Sequence, residues 1–333
     1  MGDTLRNKII IITDGGLAMG MGHVYRTLVL AKELSIYVDV EFLTQSEDVV
    51  IRKIKENKYS VDKIDSLEEM KELLNNHRPH TIIIDKLAVN EKFAEFIKNT
   101  LSAKLVIFGN VSLANQYADI VVNAIIGTDY KNRSHVDENT GTLYLQGPKY
   151  LILRREFYEA REKYQYRGKL ERILLLFGGS DQANLTSKVL LKLLAIKSDF
   201  KVEIVLGPVF KFNDYLDDIL KKDTGSKVVV HRDVNNVCDL MLDSDLVITS
   251  AGTTMFEAFC IGIPTIAFYQ NALQREMFKG FAMTTEFDEM VDFESLIFTT
   301  YKSYSDNKKE VNKLEIGSGK GEIIDEILRR VPK

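Results

Sequence analysis

Lys8-Ile9-Ile10-Ile11-Ile12-Thr13-Asp14 runs into Gly15-Gly16-Leu17-Ala18-Met19-Gly20-Met21-Gly22-His23-Val24-Tyr25-Arg26, and a helical pattern continues to Leu34. Four isoleucines without polar alternation predict a strand buried on both faces, the habit of a parallel sheet. The glycines let backbone amides approach an anion, and the following helix N-terminus adds positive partial charge. Gly20-x-Gly22 opens like a dinucleotide fingerprint, with Asp39 or Glu41 as a ribose-binding acid. The third glycine is missing, because Arg26 stands near the position that close helix packing would reserve for it, so a nicotinamide or flavin enzyme is the lesser reading. His23 is the sharper feature. An imidazole there faces the positive end of the helix dipole, and in its neutral form it can act as a base. Asp14, ending the strand, is placed to orient that ring. The plainer alternative has His23 cap the helix and Asp14 satisfy turn amides.

Outward from this unit, apolar runs recur at Lys8–Ile12, Val38–Leu43, Thr81–Ile84, Leu105–Phe108 and Ile120–Val122. They resume at Arg172–Phe177, Lys201–Leu206, Lys227–Val230, Leu246–Thr249 and Thr265–Tyr269. Between them lie helix-like segments with apolar residues three and four apart: Val24–Leu34, Ser66–Asn75, Glu91–Leu101, Asn184–Ile196 and Thr254–Cys260. Polar and charged stretches at Asp129–Thr140 and Arg154–Lys169 separate the two sets. Strand and helix in alternation predict an α/β protein with two Rossmann-like, doubly wound domains facing a cleft, residues 1–150 and 151–333. Ile323, Ile324, Ile327 and Leu328 form one stripe of a closing helix over Gly321–Val331, assigned to the second domain.

The second half carries two more strand-to-helix turns. Phe177 runs into Gly178-Gly179-Ser180-Asp181, with Asn184-Leu185-Thr186 at the next helix start, an anion seat with Ser180 and glycine amides as donors. Asp181 or Asn184 capping the helix is the alternative. Ser250-Ala251-Gly252-Thr253-Thr254 opens another helix. Its small hydroxyl residues suit phosphate, and Glu257, one turn in, can accept from a ribose diol or simply complement the helix dipole. Asp243-Ser244-Asp245 matches the Asp-x-Asp of metal-dependent transferases, yet it precedes a buried strand and reads as a structural turn.

With 333 residues, 44 basic against 48 acidic side chains and no basic block, the chain has room for two cores and no nucleic-acid footprint. Two cysteines, Cys238 and Cys260, without ligand spacing predict neither a disulfide framework nor a zinc site, and a reducing cytoplasm fits. No apolar run predicts a signal peptide or membrane insertion.

Together these segments resemble the GT-B glycosyltransferase superfamily, and within it the hydrolases of the pseudaminic acid pathway that remove UDP from a trideoxy-diacetamido sugar. Asp14 through Arg26 is similar to that family's Asp-x₅-Gly-x-Gly-His-x-x-Arg entry segment. Gly147–Phe157 is similar to its Tyr-x-Leu-x-Arg-x-Glu-Phe interdomain segment, and Gly178–Thr186 with Ser250–Glu257 extend the match. The resemblance implies a GT-B fold, His23 as general base assisted by Asp14, and a UDP-linked amino sugar bound without metal or cofactor. The implied binding residues are Gly20, Gly22, Arg26, Gly178, Gly179, Ser180, Asn184, Ser250, Gly252, Thr253, Thr254 and Glu257. Tyr269–Gln274 resembles the Gln-rich stretch of the lipid II transferase, which adds Gln274; that transferase also uses a glutamate for ribose, as Glu257 would. Two departures touch sugar recognition: Lys86-Leu87 stands where the hydrolases carry His-Tyr, and Phe256 where one carries a sugar-contacting asparagine. Both resemble instead the predicted glycosyltransferases of spore-coat polysaccharide assembly. The runner-up activity is therefore an inverting transferase, and the third reading a nucleotide-sugar-binding module in which His23 is idle.

Overall fold

Ile10, Ile11 and Ile12 are fully buried, so the unalternating run lies inside a sheet covered on both faces. The structure is a computed structural model describing residues 7–16, 20–125, 129–221, 227–232, 234, 236–279, 281 and 283–329. Leu17, Ala18 and Met19 of the glycine-rich turn lie outside the described residues, as does Val331 of the expected closing helix. The chain divides into two compact units, Met1–Arg154 with Leu314–Lys333, and Arg155–Lys313.

In the first unit the order is β1 (Lys8–Thr13), α1 (Gly22–Leu34), β2 (Asp39–Thr44), α2 (Asp48–Glu56), β3 (Ser60–Lys63), α3 (Leu67–His77), β4 (Thr81–Asp85) and α4 (Glu91–Phe96, continued by a π turn to Leu101). It continues with β5 (Lys104–Phe108), β6 (Ile120–Asn123), β7 (Arg133–Val136) and β8 (Leu143–Gln146). Its sheet runs β3-β2-β1-β4-β5-β6-β8-β7, parallel except for β7 against β8. The second unit holds α5 (Arg155–Lys163), β9 (Arg172–Leu176), α6 (Leu185–Ala195), β10 (Lys201–Leu206), α7 (Asn213–Leu220), β11 (Val228–Arg232), α8 (Val237–Leu242) and β12 (Leu246–Ser250). After these come α9 (Thr253–Ile261), β13 (Thr265–Phe268), α10 (Ala272–Phe278), β14 (Thr284–Thr285), α11 (Phe293–Lys302) and α12 (Tyr304–Lys313). Its sheet is wholly parallel, β11-β10-β9-β12-β13-β14. All ten predicted strands are present. β3, β7, β8 and β14 escape an apolar-run criterion because β3 and β7 are largely exposed edges and β14 has two residues.

The closing helix departs from expectation. α13 (Lys320–Leu328) buries Ile323 and Ile327 as its stripe predicts, but it belongs to the first unit, not to the second domain. Glu322 accepts from Lys149 Nζ at 2.8 Å and from the Tyr150 hydroxyl at 3.0 Å, and Lys320 pairs with Glu33 at 2.6 Å. Lys104 Nζ donates to the carbonyls of Glu326, Ile327 and Arg329, placing a cation where the helix dipole is negative. An apolar stripe fits either sheet; these polar partners select one. Accordingly β7 and β8 extend the first sheet, and the unit boundary falls after Arg154 rather than after residue 150.

At Gly319 an added Cβ would lie 2.7 Å from the Tyr150 ring. Gly319→Ala is expected to lose about 1–3 kcal/mol by overpacking, a change of opposite sign to the usual gain from removing a glycine. The urea midpoint checks it.

Candidate active site

Parallel sheets open a crevice at their carboxyl edge where strand order reverses. In the first unit that point lies between β1 and β4, whose last residues, Thr13 and Asp85, are register partners. In the second it lies between β9 and β12, where the Thr249 hydroxyl donates to the Leu176 carbonyl at 2.7 Å. Every turn singled out by its glycines therefore begins at one of these reversals, since the first follows β1, the second β9 and the third β12.

At the first reversal His23 occupies the opening turn of α1, and its partner is Asp85, not Asp14. His23 Nδ1 lies 2.6 Å from Asp85 Oδ1, and Arg26, one turn further along α1, donates Nε to Oδ2 and an Nη2 hydrogen to Oδ1, each at 2.6 Å. A carboxylate only accepts, so Nδ1 carries a proton, and in the neutral ring Nε2 is the acceptor. The 3.1 Å approach of Arg26 Nη2 to Nδ1 then brings together two donors aimed at one oxygen, and is no hydrogen bond. Asp85 is completely buried. Burial works to raise its pKa, but the Arg26 charge, the Arg26 hydrogen bonds and the His23 contact outweigh burial and hold the carboxyl below its ordinary value. Arg26 is half-buried, and Asp85 more than offsets the desolvation cost, so its pKa is raised.

Asp14 holds the neighbouring turn instead. Its carboxylate accepts from the Gln45 amide at 2.8 Å and from the Thr44 and Ser46 hydroxyls, and it pairs with Lys86 at 2.6 Å. Burial opposes its ionisation, but Lys86 and these donors prevail and the pKa is lowered. This corrects the role expected of Asp14: β2 follows β1 in the sheet and offers its own turn to that carboxylate, whereas the His23 ring faces β4. Gly20 is also reassigned in part. Its amide donates to the Gly16 carbonyl at 2.8 Å in a two-residue bridge, so it is not directed at a ligand. Gly22 is the first residue of α1, exposed, with open space where a Cβ would stand.

In the second unit Gly178 (φ +78°) and Gly179 have open space at the Cβ position, and Ser180 is half-buried. The α6 N-terminus is not an open anion seat, because Asp181 takes the Leu185 and Thr186 amides at 2.8 Å each. Burial outweighs those amides, and the Asp181 pKa is raised. Asn184 is the first cap residue at φ +51°, and its buried Oδ1 has no partner among the described residues. Gly207 was not singled out by the sequence. A Cβ there would meet the Gly179 carbonyl oxygen at 2.3 Å, so it shapes the Gly178–Ser180 turn from the adjoining strand end.

α9 begins differently. Gly252 is its cap residue, and among the described residues no side chain caps it. Ser250 is buried, Thr253 exposed, and Thr254 and Glu257 half-buried. Phe256 is fully buried against Phe259, Phe278 and Phe281, with ring centroids about 6 Å apart. Gln274 turns out to be a capping residue: Asn271 accepts from the Gln274 amide at 2.9 Å, and Gln274 Oε1 accepts from the Gln270 amide at 2.8 Å. Gln270 Nε2 donates to the Phe177 carbonyl at 2.6 Å, tying that turn to the β9 end. Asp245 accepts from the Glu171 and Arg172 amides at 2.9 Å and from Arg167 at 3.0 Å, as a structural turn should.

Both sheets, their reversals and the turns above define the GT-B class, in which two Rossmann-like domains follow one another along the chain. The acinetobacter baumannii MurG crystal structure superposes with TM-score 0.61 over 96% of this chain and 99% of that one at 15% identity. The UDP-GlcNAc 2-epimerase of Neisseria meningitidis, solved bound to UDP-GlcNAc, does so with TM-score 0.63 over 96% and 99% at 11% identity. Residues 173–280 match the glycosyltransferase family 28 C-terminal domain. The homologues include an uncharacterised protein of Methanocaldococcus jannaschii, 44% identical over 96% of this chain, which spans 66% of that relative's length. They also include the spore coat polysaccharide biosynthesis protein SpsG of Bacillus subtilis, 29% identical over 86% of each chain. A third is the UDP-2,4-diacetamido-2,4,6-trideoxy-beta-L-altropyranose hydrolase of Campylobacter jejuni, 25% identical over 76% of this chain and 88% of that one.

Asp85→Asn leaves the half-buried Arg26 without its counter-charge and is expected to cost about 3 kcal/mol at neutral pH. Because the folded pKa of Asp85 is depressed, its contribution is present above the unfolded value of about 3.9 and is lost as pH falls through the lower folded value. Urea unfolding of both proteins at several pH values should show the difference narrowing only on the acid side.

Proposed function

We propose that this chain is a nucleotide-sugar enzyme of surface-polysaccharide biosynthesis, specifically a hydrolase that releases UDP and a free amino-deoxy sugar from a UDP-linked amino sugar. The observation that carries the reading is the His23 ring at the β1/β4 reversal, with Nδ1 held by a buried carboxylate and Nε2 left to accept a proton. Support comes from the Campylobacter relative's named substrate and from UDP-sugar and UDP complexes among GT-B structures.

In this reading water approaches the anomeric carbon. As its oxygen bonds to that carbon, its proton passes to His23 Nε2 and the bond to the diphosphate oxygen breaks, its electron pair leaving with UDP. Within the second unit, the amides and hydroxyls at Gly252–Thr254 and Gly178–Ser180 are the donors this reading assigns to the diphosphate, worth most when fixed in advance. Glu257 accepts from the ribose diol. Ser250 supports the α9 turn, Asn184 and Gly22 border the seats, and the reading assigns no metal and no cofactor. One set of observations favours the inverting transferase as second reading: the Bacillus relative, the family 28 match, and Lys86, Leu87 and Phe256 at the sugar-recognition positions. There a sugar hydroxyl replaces water and the base is unchanged.

His23→Asn is expected to lower turnover by roughly 10²–10⁴ with nucleotide affinity nearly unchanged. With UDP-linked 2-acetamido and 2,4-diacetamido sugars, no acceptor and ¹⁸O-water, a hydrolase places label in the sugar. Label in UDP would remove His23 from its role, and tight UDP binding without turnover on any donor would favour the transferase. Glu257→Ala should weaken UDP binding by about 1.5–3 kcal/mol in calorimetric titration. A purely dipolar role would lower the melting temperature instead.

A further inference from the structure

Resting on His23 as the base, we propose that Arg26 is a positioning residue that governs the charge of that base: by holding both oxygens of Asp85, it lets the carboxylate orient the imidazole without drawing a second proton onto it. A lone buried carboxylate 2.6 Å from Nδ1 would favour imidazolium, because two opposite charges away from water attract strongly. An imidazolium has no lone pair at Nε2 and cannot act as a base. His23 and Arg26 are three residues apart on α1 and therefore share one face toward β4. The guanidinium meets Asp85 side-on through Nε and Nη2, the fork geometry that lysine cannot reproduce. It is permanently charged, so Asp85 and Arg26 together present no net charge to the ring. A second ring proton would create a net positive cluster, with Arg26 Nη2 already 3.1 Å from Nδ1.

The surrounding charges leave this balance to Arg26. Lys86, next after Asp85, is neutralised by Asp14 beyond β1 at 2.6 Å, and Gln45 beyond β2 takes another of its hydrogens at 2.9 Å. On α1 itself, Lys53 of α2 and Arg154 both lie over the Tyr25 ring. Beyond β5 the neighbour is Gly109, where a Cβ would lie 3.5 Å from Arg26 Nη2. A pair serving stability alone would not need to place the catalytic ring on the same oxygen as the guanidinium.

The test reads the ring directly, by ¹⁵N-edited NMR of the histidine side chains in the intact protein, with His23→Asn providing the assignment. In Arg26→Gln the ratio of doubly protonated to neutral His23 at fixed pH is expected to rise about tenfold or more, and Arg26→Lys should move it less. Asp85→Asn should move it the opposite way, which keeps the proposal testable if Arg26→Gln does not fold. A folded Arg26→Gln with the wild-type ratio, or an Asp85→Asn protein whose ratio rises, overturns the proposal. The acid limb of the pH–rate profile should follow the NMR shift. If the ring responds as expected while that limb stays put, the base role of His23 fails and the Arg26 effect stands.

Discussion

A fully buried carboxylate at the end of a strand has to be answered, and the answer to Asp85 organises the first unit. Removing the charge from water costs several kcal/mol unless it is paired and hydrogen-bonded. The chain meets that cost with two side chains from one face of α1, so the helix is clamped to β4 across the point where strand order reverses. The same contact that orders the backbone therefore chooses the tautomer of His23. Stability and the orientation of the imidazole are one interaction here, which is why Asp85 carries both the acid-sensitive stability and the geometry of this turn.

The second unit answers its buried aspartates differently. Asp181 takes two backbone amides at the start of α6, and Asp245 takes two amides at the start of β9. Each satisfies donors that would otherwise be orphaned, and each thereby removes them from ligand binding. The consequence is selective: of the two helices that begin at this sheet's reversal, α6 is closed by its own carboxylate and α9 is open.

Much of this was legible because it is local. Unbroken apolar runs announce parallel strands, and a glycine turn with a histidine at a helix start announces a site, since each is encoded within a few residues. Asp85 was legible as a strand end but not as the partner of His23. That pairing depends on β4 lying beside β1, and the residues are 62 apart in the chain. Asp14 attracted the role through nearness in sequence, although the sheet gave it to the β2 turn. Gln274 shows the converse error. Asn271-x-x-Gln274 is a capping pattern that its sequence alone announces, and similarity to another family's glutamine obscured it. The apolar stripe of the closing helix does not select its unit, because amphipathicity records that a helix packs and not against what; Glu322, Lys320 and Lys104 decide that.

The pattern of helix caps carries the argument one step further. Ser66, Asn90, Asn236, Asn271 and Asp292 each accept from an amide in the first turn of their helices. A cap of this kind is worth about 1 kcal/mol. Among the described residues α2, α7 and α13 show none, but they begin away from the reversals. α1 and α9 begin at the reversals, at Met21 and Gly252, and among the described residues neither has a side-chain cap. Their first-turn amides remain available for an anion that a capping side chain would displace. Phe256, sealed in its aromatic cluster, cannot turn outward to contact a sugar, and Lys86 is engaged by Asp14 and Gln45. Each unit thus keeps one uncapped helix end at its own reversal. Of the three positions that depart from the hydrolase pattern, Leu87 is the exposed one, whereas Lys86 is held by its partners and Phe256 belongs to the core.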